Sequence, residues 1–353
     1  MSLSKILFID PVSPLPYSAE SLQQEPMGGT EATVIRIMKA LSKNHDITIE
    51  QSRREASMTD NYGIKYRPYS HRSGQRSGKI NSVVVIRSNK ILLDVRRQYP
   101  DANLFLWMHC FPGKHHKRLN DIACQTSATI ITVSDTHKKD VYAFLNKYRN
   151  HRSINGQIAK VIRIYNPVNE FLRPDGSSYD PNKLVYFSSP HKGLPQVLET
   201  FGYIRKSTPD LRLYVANPGY MWMKNFPNLC GVINLGSLPH YKIIQHVRES
   251  LCVFYPQSHF RETFGLVFAE ANAVGTPVLA HDLGSTPEIL KDRGQLVNTE
   301  DKEEVRSTID WWRRNGRPKV DLRNELRCSQ VVKQWEQFLT GVNNGENNLK
   351  YQV

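Results

Sequence analysis

The 353-residue sequence is poor in several features that would place it in other protein classes. Its five cysteines are odd in number, scattered and never spaced C-x-x-C, which argues against a disulfide scaffold and for reduced thiols in a reducing compartment. No run of about 18 consecutive apolar residues occurs, so no helix is expected to span a bilayer. The short apolar run at residues 6–9 predicts a strand rather than a signal peptide. We therefore expect a cytoplasmic protein with at most peripheral contact to a membrane.

Several motifs of nucleotide and metal chemistry are also missing. The sequence has neither G-x-x-x-x-G-K-[ST] nor G-x-G-x-x-G, which excludes a Walker loop and a typical NAD fingerprint. No two aspartates stand two positions apart, so an Asp-x-Asp metal clamp is absent. His109, His115 and His116 lack a further Cys or His at zinc-finger or zincin spacing. We expect no metal site.

The charge that is present lies mainly in the first half of the chain. Of a net charge of +14, residues 1–166 carry +12 and residues 167–353 carry +2. Residues 51–80 show no clear periodicity and predict a long basic loop, with Arg53, Arg54, Lys65, Arg67, Arg72, Arg76 and Lys79. This excess of positive charge favours an anionic partner, whether nucleic acid, an acidic lipid surface or an acidic substrate.

Short runs of Val, Ile, Leu and Phe alternate with longer helical patterns throughout both halves. Apolar runs without strict two-residue alternation are typical of strands buried on both faces of a parallel α/β sheet. We predict two Rossmann-like domains, residues 1–168 and 183–325, joined by a Pro-rich linker at 169–182. Residues 326–353 form a C-terminal helix and tail expected to pack back on the first domain.

The most informative stretch follows a predicted strand that ends at Pro256. A polar loop precedes a helix predicted over residues 264–274, which Gly275 and Pro277 terminate. This places Glu262 and the amides of Thr263, Phe264, Gly265 and Leu266 at a helix N-terminus beyond the carboxyl end of a parallel strand. Open α/β sheets bind ligands at that edge, and free helix amides suit phosphate.

Two carboxylates, Glu262 and Glu270, stand eight residues apart in this stretch. If all eight residues are helical, their Cα atoms lie about 12 Å apart. The two carboxyl groups of a glycosidase lie within roughly 5 to 9.5 Å of each other. We therefore expect separate contacts along an extended ligand rather than an acid/base pair. The alternative is an ordinary first-turn carboxylate and a solvated helix residue.

The stretch from Glu262 to Glu270 resembles the E-x7-E signature of retaining glycosyltransferase family 4. The A-x-G-T-P-V and G-x-x-x-E elements that follow it in the family are matched by residues 273–278 and 284–288. Residues 232–236 with Leu238 are similar to the strand and loop against which the nucleotide base packs.

Residues 186–193 are similar to the family's strand-to-helix element, which supplies an Arg and a Lys to the donor diphosphate. Lys192 is kept, whereas Ser188 or Ser189 stands where the family has the Arg.

Two elements of the first half are similar to single elements of the same family. Gly28 and Gly29 precede a helix, as does the glycine-rich loop that reaches the diphosphate and the sugar. A plain turn before a capped helix is the alternative. His109 ends a strand where the family often has a histidine near the primary hydroxyl of the sugar, the alternative being a packed loop histidine.

The resemblance implies a GT-B fold and a retaining glycosyltransferase that needs no metal or other cofactor. It implies transfer of a hexose from a nucleotide-diphosphate sugar, with GDP-mannose favoured, to a glycan, protein-linked or lipid-linked acceptor. Glu270 would bind the ribose hydroxyls, Glu262 the sugar hydroxyls, and Lys192 with the helix amides the diphosphate.

Two alternatives from other functional classes stay open. The first is a nucleic-acid or polyanion-binding protein, which the basic first half suggests. It would leave Glu262 and Glu270 unexplained. The second is a catalytically degenerate nucleotide-sugar binder, which the missing Arg suggests.

Overall fold

The computed structural model describes residues 3–70, 79–149, 156–217 and 226–339. The strands are β1 Ser4–Asp10, β2 His45–Gln51, β3 Met58–Thr59, β4 Lys65–Pro68, β5 Ser82–Ile86, β6 Asn103–Trp107, β7 Thr129–Thr132, β8 Val161–Arg163, β9 Asp180–Phe187, β10 Arg212–Asn217, β11 Val232–Ser237, β12 Ser250–Tyr255 and β13 Val278–Ala280. The α-helices are α1 Ser21–Gln24, α2 Gly29–Leu41, α3 Leu92–Gln98, α4 Leu119–Gln125, α5 Asp135–Tyr148, α6 Leu194–Arg205, α7 His240–Arg248, α8 Leu266–Ala273, α9 Thr286–Ile289, α10 Lys302–Asn315 and α11 Cys328–Leu339.

These strands form two separate sheets, one in each half of the chain. The first has the order β3-β4-β2-β1-β5-β6-β7-β8 and the second the order β11-β10-β9-β12-β13. The strand pairs are parallel except for β3 with β4. The prediction of an α/β protein with two parallel-sheet domains is confirmed.

The central strands are apolar because helices cover both faces of each sheet. All five residues of β5 and all six of β12 are buried. Buried side chains that alternate along the first sheet pack in two groups on its opposite faces, as Leu7 and Phe8 of β1 illustrate. This burial explains why continuous apolar runs identified these strands.

The prediction of a long basic loop over residues 51–80 is wrong in part. Residues 58–59 and 65–68 are strands β3 and β4, and β4 pairs in parallel with β2. Arg54, one of the predicted loop cations, donates to the Tyr17 carbonyl at 3.0 Å and lies over the Tyr66 ring. It therefore has a packing role. Residues 71–78, with Arg72 and Arg76, lie outside the described residues.

The C-terminal helix α11 leaves the second domain and packs on helix α2 of the first. Trp335 is fully buried there, with its ring 4.5 Å from that of Trp107 and 6.3 Å from that of Phe8. The Ser82 hydroxyl donates to the Leu339 carbonyl at 2.9 Å. The expected return of the C-terminal helix to the first domain is confirmed.

None of the helices in the described part of the chain is long and apolar enough to cross a membrane.

Candidate active site

A cavity lies between the two domains and is lined from both sides. The first domain contributes helix α2 and the segment before it, and the second contributes the carboxyl end of strand β10, the loops after β9, β11 and β12, and helices α7 and α8. The charged and histidine side chains of its lining are Glu25, Arg36, Lys192, His240, Glu262 and Glu270. The cavity therefore sits at the carboxyl ends of the second-domain strands, where parallel sheets bind ligands.

Glu262 lies in the loop between β12 and α8 and is 6% exposed. Both of its carboxylate oxygens accept from Lys192 Nζ at 2.9 Å, and Oε1 also accepts from the Tyr255 hydroxyl at 3.0 Å. The carboxylate is thus oriented by a strand residue, Tyr255, and by a residue of the loop before helix α6, Lys192. Both Glu262 and Lys192 line the cavity.

The residue just before helix α8 has a left-handed backbone conformation. Gly265 has φ 81°, and a Cβ there would lie 2.4 Å from the Phe268 ring, so only glycine fits. Helix α8 begins at Leu266, two residues later than predicted. Residues 262–265 are therefore non-helical, and the separation derived by treating all eight residues from Glu262 as helical does not apply.

Glu270 on helix α8 is 3% exposed, so the alternative of a solvated helix residue is wrong. Its Oε1 accepts from Arg36 Nη2 at 2.7 Å, and its Oε2 lies 2.9 Å from His240 Nε2. Burial alone raises the pKa of Glu270, but His240 and Arg36 more than offset this and hold it at about 2. Glu270 is thus ionised at neutral pH and joins the two domains.

The loop from Ser188 to Lys192 connects β9 to helix α6 along the cavity wall. Ser188, Ser189 and Lys192 line the cavity. Gly193 has φ 91°, and a Cβ there would lie 2.7 Å from the Gln257 side chain, so the turn that presents Lys192 depends on glycine. The two serines contribute hydroxyls where the resemblance implied a guanidinium.

The glycine-rich loop reaches the same cavity from the first domain. Gly28 is the N-cap of helix α2, and Gly29 lines the cavity. A Cβ on Gly29 would lie 3.7 Å from the Leu266 side chain, so this loop approaches the N-terminus of helix α8 across the cleft. Leu238, in the loop after β11, lines the cavity as well.

His109 lies beside the cavity rather than among the described residues that line it. Its carbonyl accepts from the Thr263 hydroxyl at 3.0 Å, which places it across the domain boundary from the Glu262 loop. Burial, and then Arg87 and His137, lowers the pKa of His109 well below its ordinary value. Its ring is neutral at pH 7, and within the described structure no hydrogen-bond partner satisfies its Nε2.

The predicted G-x-x-x-E element forms a contact between the domains. Glu288 Oε1 accepts from the Asp135 amide at 2.6 Å, and Oε2 accepts from the Thr136 amide and hydroxyl at 2.9 Å. The Ser134 hydroxyl, which caps helix α5, also donates to the Thr263 carbonyl at 2.6 Å. A carboxylate at a helix N-terminus is electrostatically favoured, so this contact stabilises the arrangement of the two domains seen here.

Three cavity or supporting residues were missed from the sequence: Arg36, His240 and Tyr255. Tyr255 lies in a predicted buried strand, and nothing in the sequence indicated that its hydroxyl would contact Glu262. Arg36 could have been identified from the sequence, because it is a cation flanked by Val34, Ile35, Ile37 and Met38 in a helix that is apolar on most of its faces. Such a helix is buried, and a buried arginine requires a partner.

The second half of the chain matches a known protein family. Residues 170–328 match the model of the family described as glycosyl transferases group 1. A curated relative, an uncharacterized 41.2 kDa protein in the cps region of Klebsiella pneumoniae, is 34% identical over 85 residues, or 22% of this chain. That match spans about a quarter (24%) of the relative's length.

Solved structures resemble the whole chain. HepE (Alr3699) of Anabaena, solved with UDP and glucose, has a TM-score of 0.64 at 15% identity and covers 96% of this chain and 100% of its own. Sucrose-phosphate synthase of Thermosynechococcus elongatus has a TM-score of 0.62 at 14% identity, with coverage of 96% and 97%. AviGT4, a glycosyltransferase involved in avilamycin A biosynthesis, has a TM-score of 0.60 at 17% identity, with coverage of 96% and 99%.

At these identities the similarity shows the fold alone. The chain has the GT-B fold, and the match to the glycosyl transferases group 1 family covers residues 170–328.

Proposed function

We propose that the protein is a retaining glycosyltransferase that moves a hexose from a nucleotide-diphosphate sugar to an acceptor hydroxyl. The observation that carries this proposal is the interdomain cavity, which Glu262, Glu270 and Lys192 all line at the carboxyl ends of the second-domain strands. The match to a glycosyl transferase family over residues 170–328 supports it independently.

The proposed roles follow from chemistry and position. Glu270 binds the ribose hydroxyls, because an ionised carboxylate accepts strong hydrogen bonds from a diol. Glu262 binds hydroxyls of the transferred sugar. Lys192 and the amides at the start of helix α8 bind the diphosphate and stabilise the charge that grows on it as the sugar leaves.

Retention of configuration is proposed to follow from attack on the same face of the sugar. As the bond from the anomeric carbon to the phosphate oxygen breaks, the acceptor oxygen bonds to that carbon. The departing phosphate oxygen takes the proton of the acceptor hydroxyl. No protein nucleophile is required. His109, with a neutral ring beside the Glu262 loop, is proposed to contact the primary hydroxyl of the sugar.

The decisive experiment is a panel of nucleotide sugars, tested by calorimetric titration and by donor turnover with an acceptor library. GDP-mannose is the expected donor, and UDP-glucose is the main competitor because UDP is the nucleotide in the HepE structure. NMR of the product should show retained anomeric configuration. An inverted product would refute the mechanism, and binding without any turnover would instead support the degenerate-binder alternative.

Metal independence is the first specific prediction. We expect donor turnover to survive excess EDTA, because Lys192 and the helix amides supply the positive charge that a divalent cation supplies elsewhere. The measurement is turnover before and after chelation, with and without added Mn²⁺ and Mg²⁺. Complete loss with EDTA and recovery with Mn²⁺ would contradict the prediction.

We also propose that the acceptor is anionic, such as an acidic glycan or a phospholipid-linked sugar. The first domain carries most of the positive charge. Three exposed cations, Lys114, Lys117 and Arg118, lie in the loop after β6, at the carboxyl edge of the first sheet. Neutralising these three to Gln should raise the acceptor KM several-fold at low salt and less at 0.15 M, where exposed charges are screened beyond about 8 Å.

The control removes three exposed cations from the second domain, Lys206, Arg212 and Arg314. It carries the same change of net charge, and its acceptor KM should match that of the unmodified protein. Equal KM values in both variants at every salt concentration would mean that the charge does not serve acceptor binding.

A further inference from the structure

Two ion pairs stand in the cavity, and each contains one of the two carboxylates assigned above to the donor. Lys192 holds Glu262, and Arg36 holds Glu270. Burying a lone charge is costly, and pairing offsets that cost for all four groups. Each pair also joins a cation suited to phosphate with a carboxylate suited to hydroxyls.

Arg36 has more hydrogen-bonding capacity than it uses. Only 3% of the residue is exposed. Its Nη2 donates to Glu270 at 2.7 Å and its Nη1 to the Pro167 carbonyl at 3.2 Å. Its Nε is buried and has no hydrogen-bond partner within the described structure. A guanidinium has five N–H donors, so Arg36, which lines the cavity, keeps donor capacity beyond these two bonds and is suited to a further anionic ligand.

In the described part of the second domain, Lys192 is the one lysine or arginine that lines the cavity. Lys192 is present, but the neighbouring positions on the same loop are Ser188 and Ser189, which also line the cavity. A diphosphate carries more than one negative charge and is best held by a planar, bidentate guanidinium beside the ammonium group.

We propose that Arg36, from the first domain, supplies the second cation for the donor diphosphate. This inference rests on the proposed function. When a nucleotide sugar binds, ribose hydroxyls take the place of Arg36 on Glu270 Oε1, and the diphosphate takes the place of Glu270 on Arg36. His240 keeps its contact with Glu270 Oε2, so the carboxylate retains a partner within the protein.

The exchange links diphosphate binding to the closed cleft. Arg36 lies on helix α2 of the first domain, whereas Lys192 and Glu270 belong to the second. A nucleoside requires only second-domain groups, but a nucleoside diphosphate also requires Arg36 at the domain boundary. The affinity gained from the two phosphates is therefore expected to depend on this one residue.

The test compares ligands with and without phosphates. Calorimetric titration measures Kd for UDP and uridine, and for GDP and guanosine, in the unmodified protein and in Arg36→Gln. We expect the Kd of the diphosphate to rise about 10- to 100-fold relative to that of the nucleoside, as for loss of one charge-assisted contact. The nucleoside Kd itself should stay the same or fall, because in the variant the ribose no longer displaces a cation from Glu270. Equal changes for both ligands, or none, would overturn the inference.

Two further variants keep the test decisive. Lys39→Gln removes a cation one turn further along helix α2, where Lys39 bonds the Tyr62 hydroxyl, and should leave all four Kd values unchanged. If Arg36→Gln does not fold, Arg36→Lys keeps a charge against Glu270 but loses the planar fork. It should still weaken the diphosphate more than the nucleoside, and equal weakening would again overturn the inference.

The failure of this inference is distinguishable from failure of the proposed function. If the unmodified protein binds none of the four ligands and no nucleotide sugar, the proposed function fails. If it binds the diphosphate and Arg36→Gln binds it equally well, only the role of Arg36 fails.

Discussion

Replacing Glu262 with glutamine is expected to lower kcat for donor turnover by about 100-fold or more, with the Kd for the free nucleoside diphosphate changed less than about threefold. The carboxylate is held by Lys192 and Tyr255 and is proposed to bind the transferred sugar. Its contribution should therefore grow in the transition state, where loss of one oriented group costs on the order of 10² to 10³ in rate. Donor hydrolysis and calorimetric titration measure the two quantities separately.

The matched control is Glu249→Gln. Glu249 belongs to another Lys–Glu pair of the second domain, with Lys183 Nζ at 2.7 Å, and does not line the cavity. This variant should keep both kcat and nucleotide affinity. If Glu262→Gln turned over donor as fast as this control, Glu262 would have no part in the reaction.

Replacing Glu270 with glutamine should weaken binding of the nucleoside itself. A carboxylate that accepts from two ribose hydroxyls makes charge-assisted hydrogen bonds worth about 1.5 to 3 kcal/mol. The expected rise in Kd is about 10- to 100-fold for uridine or guanosine and similar for the corresponding diphosphate. Calorimetric titration with both ligands measures it.

The pattern of loss separates the role of Glu270 from that of Arg36. Loss at the nucleoside is expected for Glu270→Gln, and loss confined to the diphosphate for Arg36→Gln. A nucleoside Kd unchanged in Glu270→Gln, with unfolding behaviour like that of the unmodified protein, would show that the carboxylate serves only the contact between the domains.

The sequence predicts most of the fold because its strands are buried on both faces. Apolar runs such as those of β5 and β12 are stable when both faces of the strand are buried, and the helical patterns between them indicate parallel connections. Strands β3 and β4 were missed because they lie at the sheet edge, are short, and contain polar residues that resemble a loop. Edge strands lack the double burial that produces a clear pattern.

The candidate site was predictable only where neighbouring residues in the sequence form it. Glu262, Gly265 and Glu270 lie on one loop and helix, so their spacing in the sequence carried the family resemblance from which their roles were predicted. The contact between Arg36 and Glu270 joins residues from different domains, and no local pattern encodes their distance. The burial of Glu270 depends on how the domains close, which explains why a solvated helix residue stayed an open alternative.

Helix α11 affects the order in which the two domains can complete their folding. Trp335 completes the packing around Trp107 and Phe8, yet it is synthesised after the entire second domain. Domains generally fold in the order in which they leave the ribosome. Here the first domain emerges early but keeps a gap in its core, with Trp107 uncovered, until α11 arrives. We therefore expect the first half to expose this part of its core during translation, and its final stability to depend on helix α11.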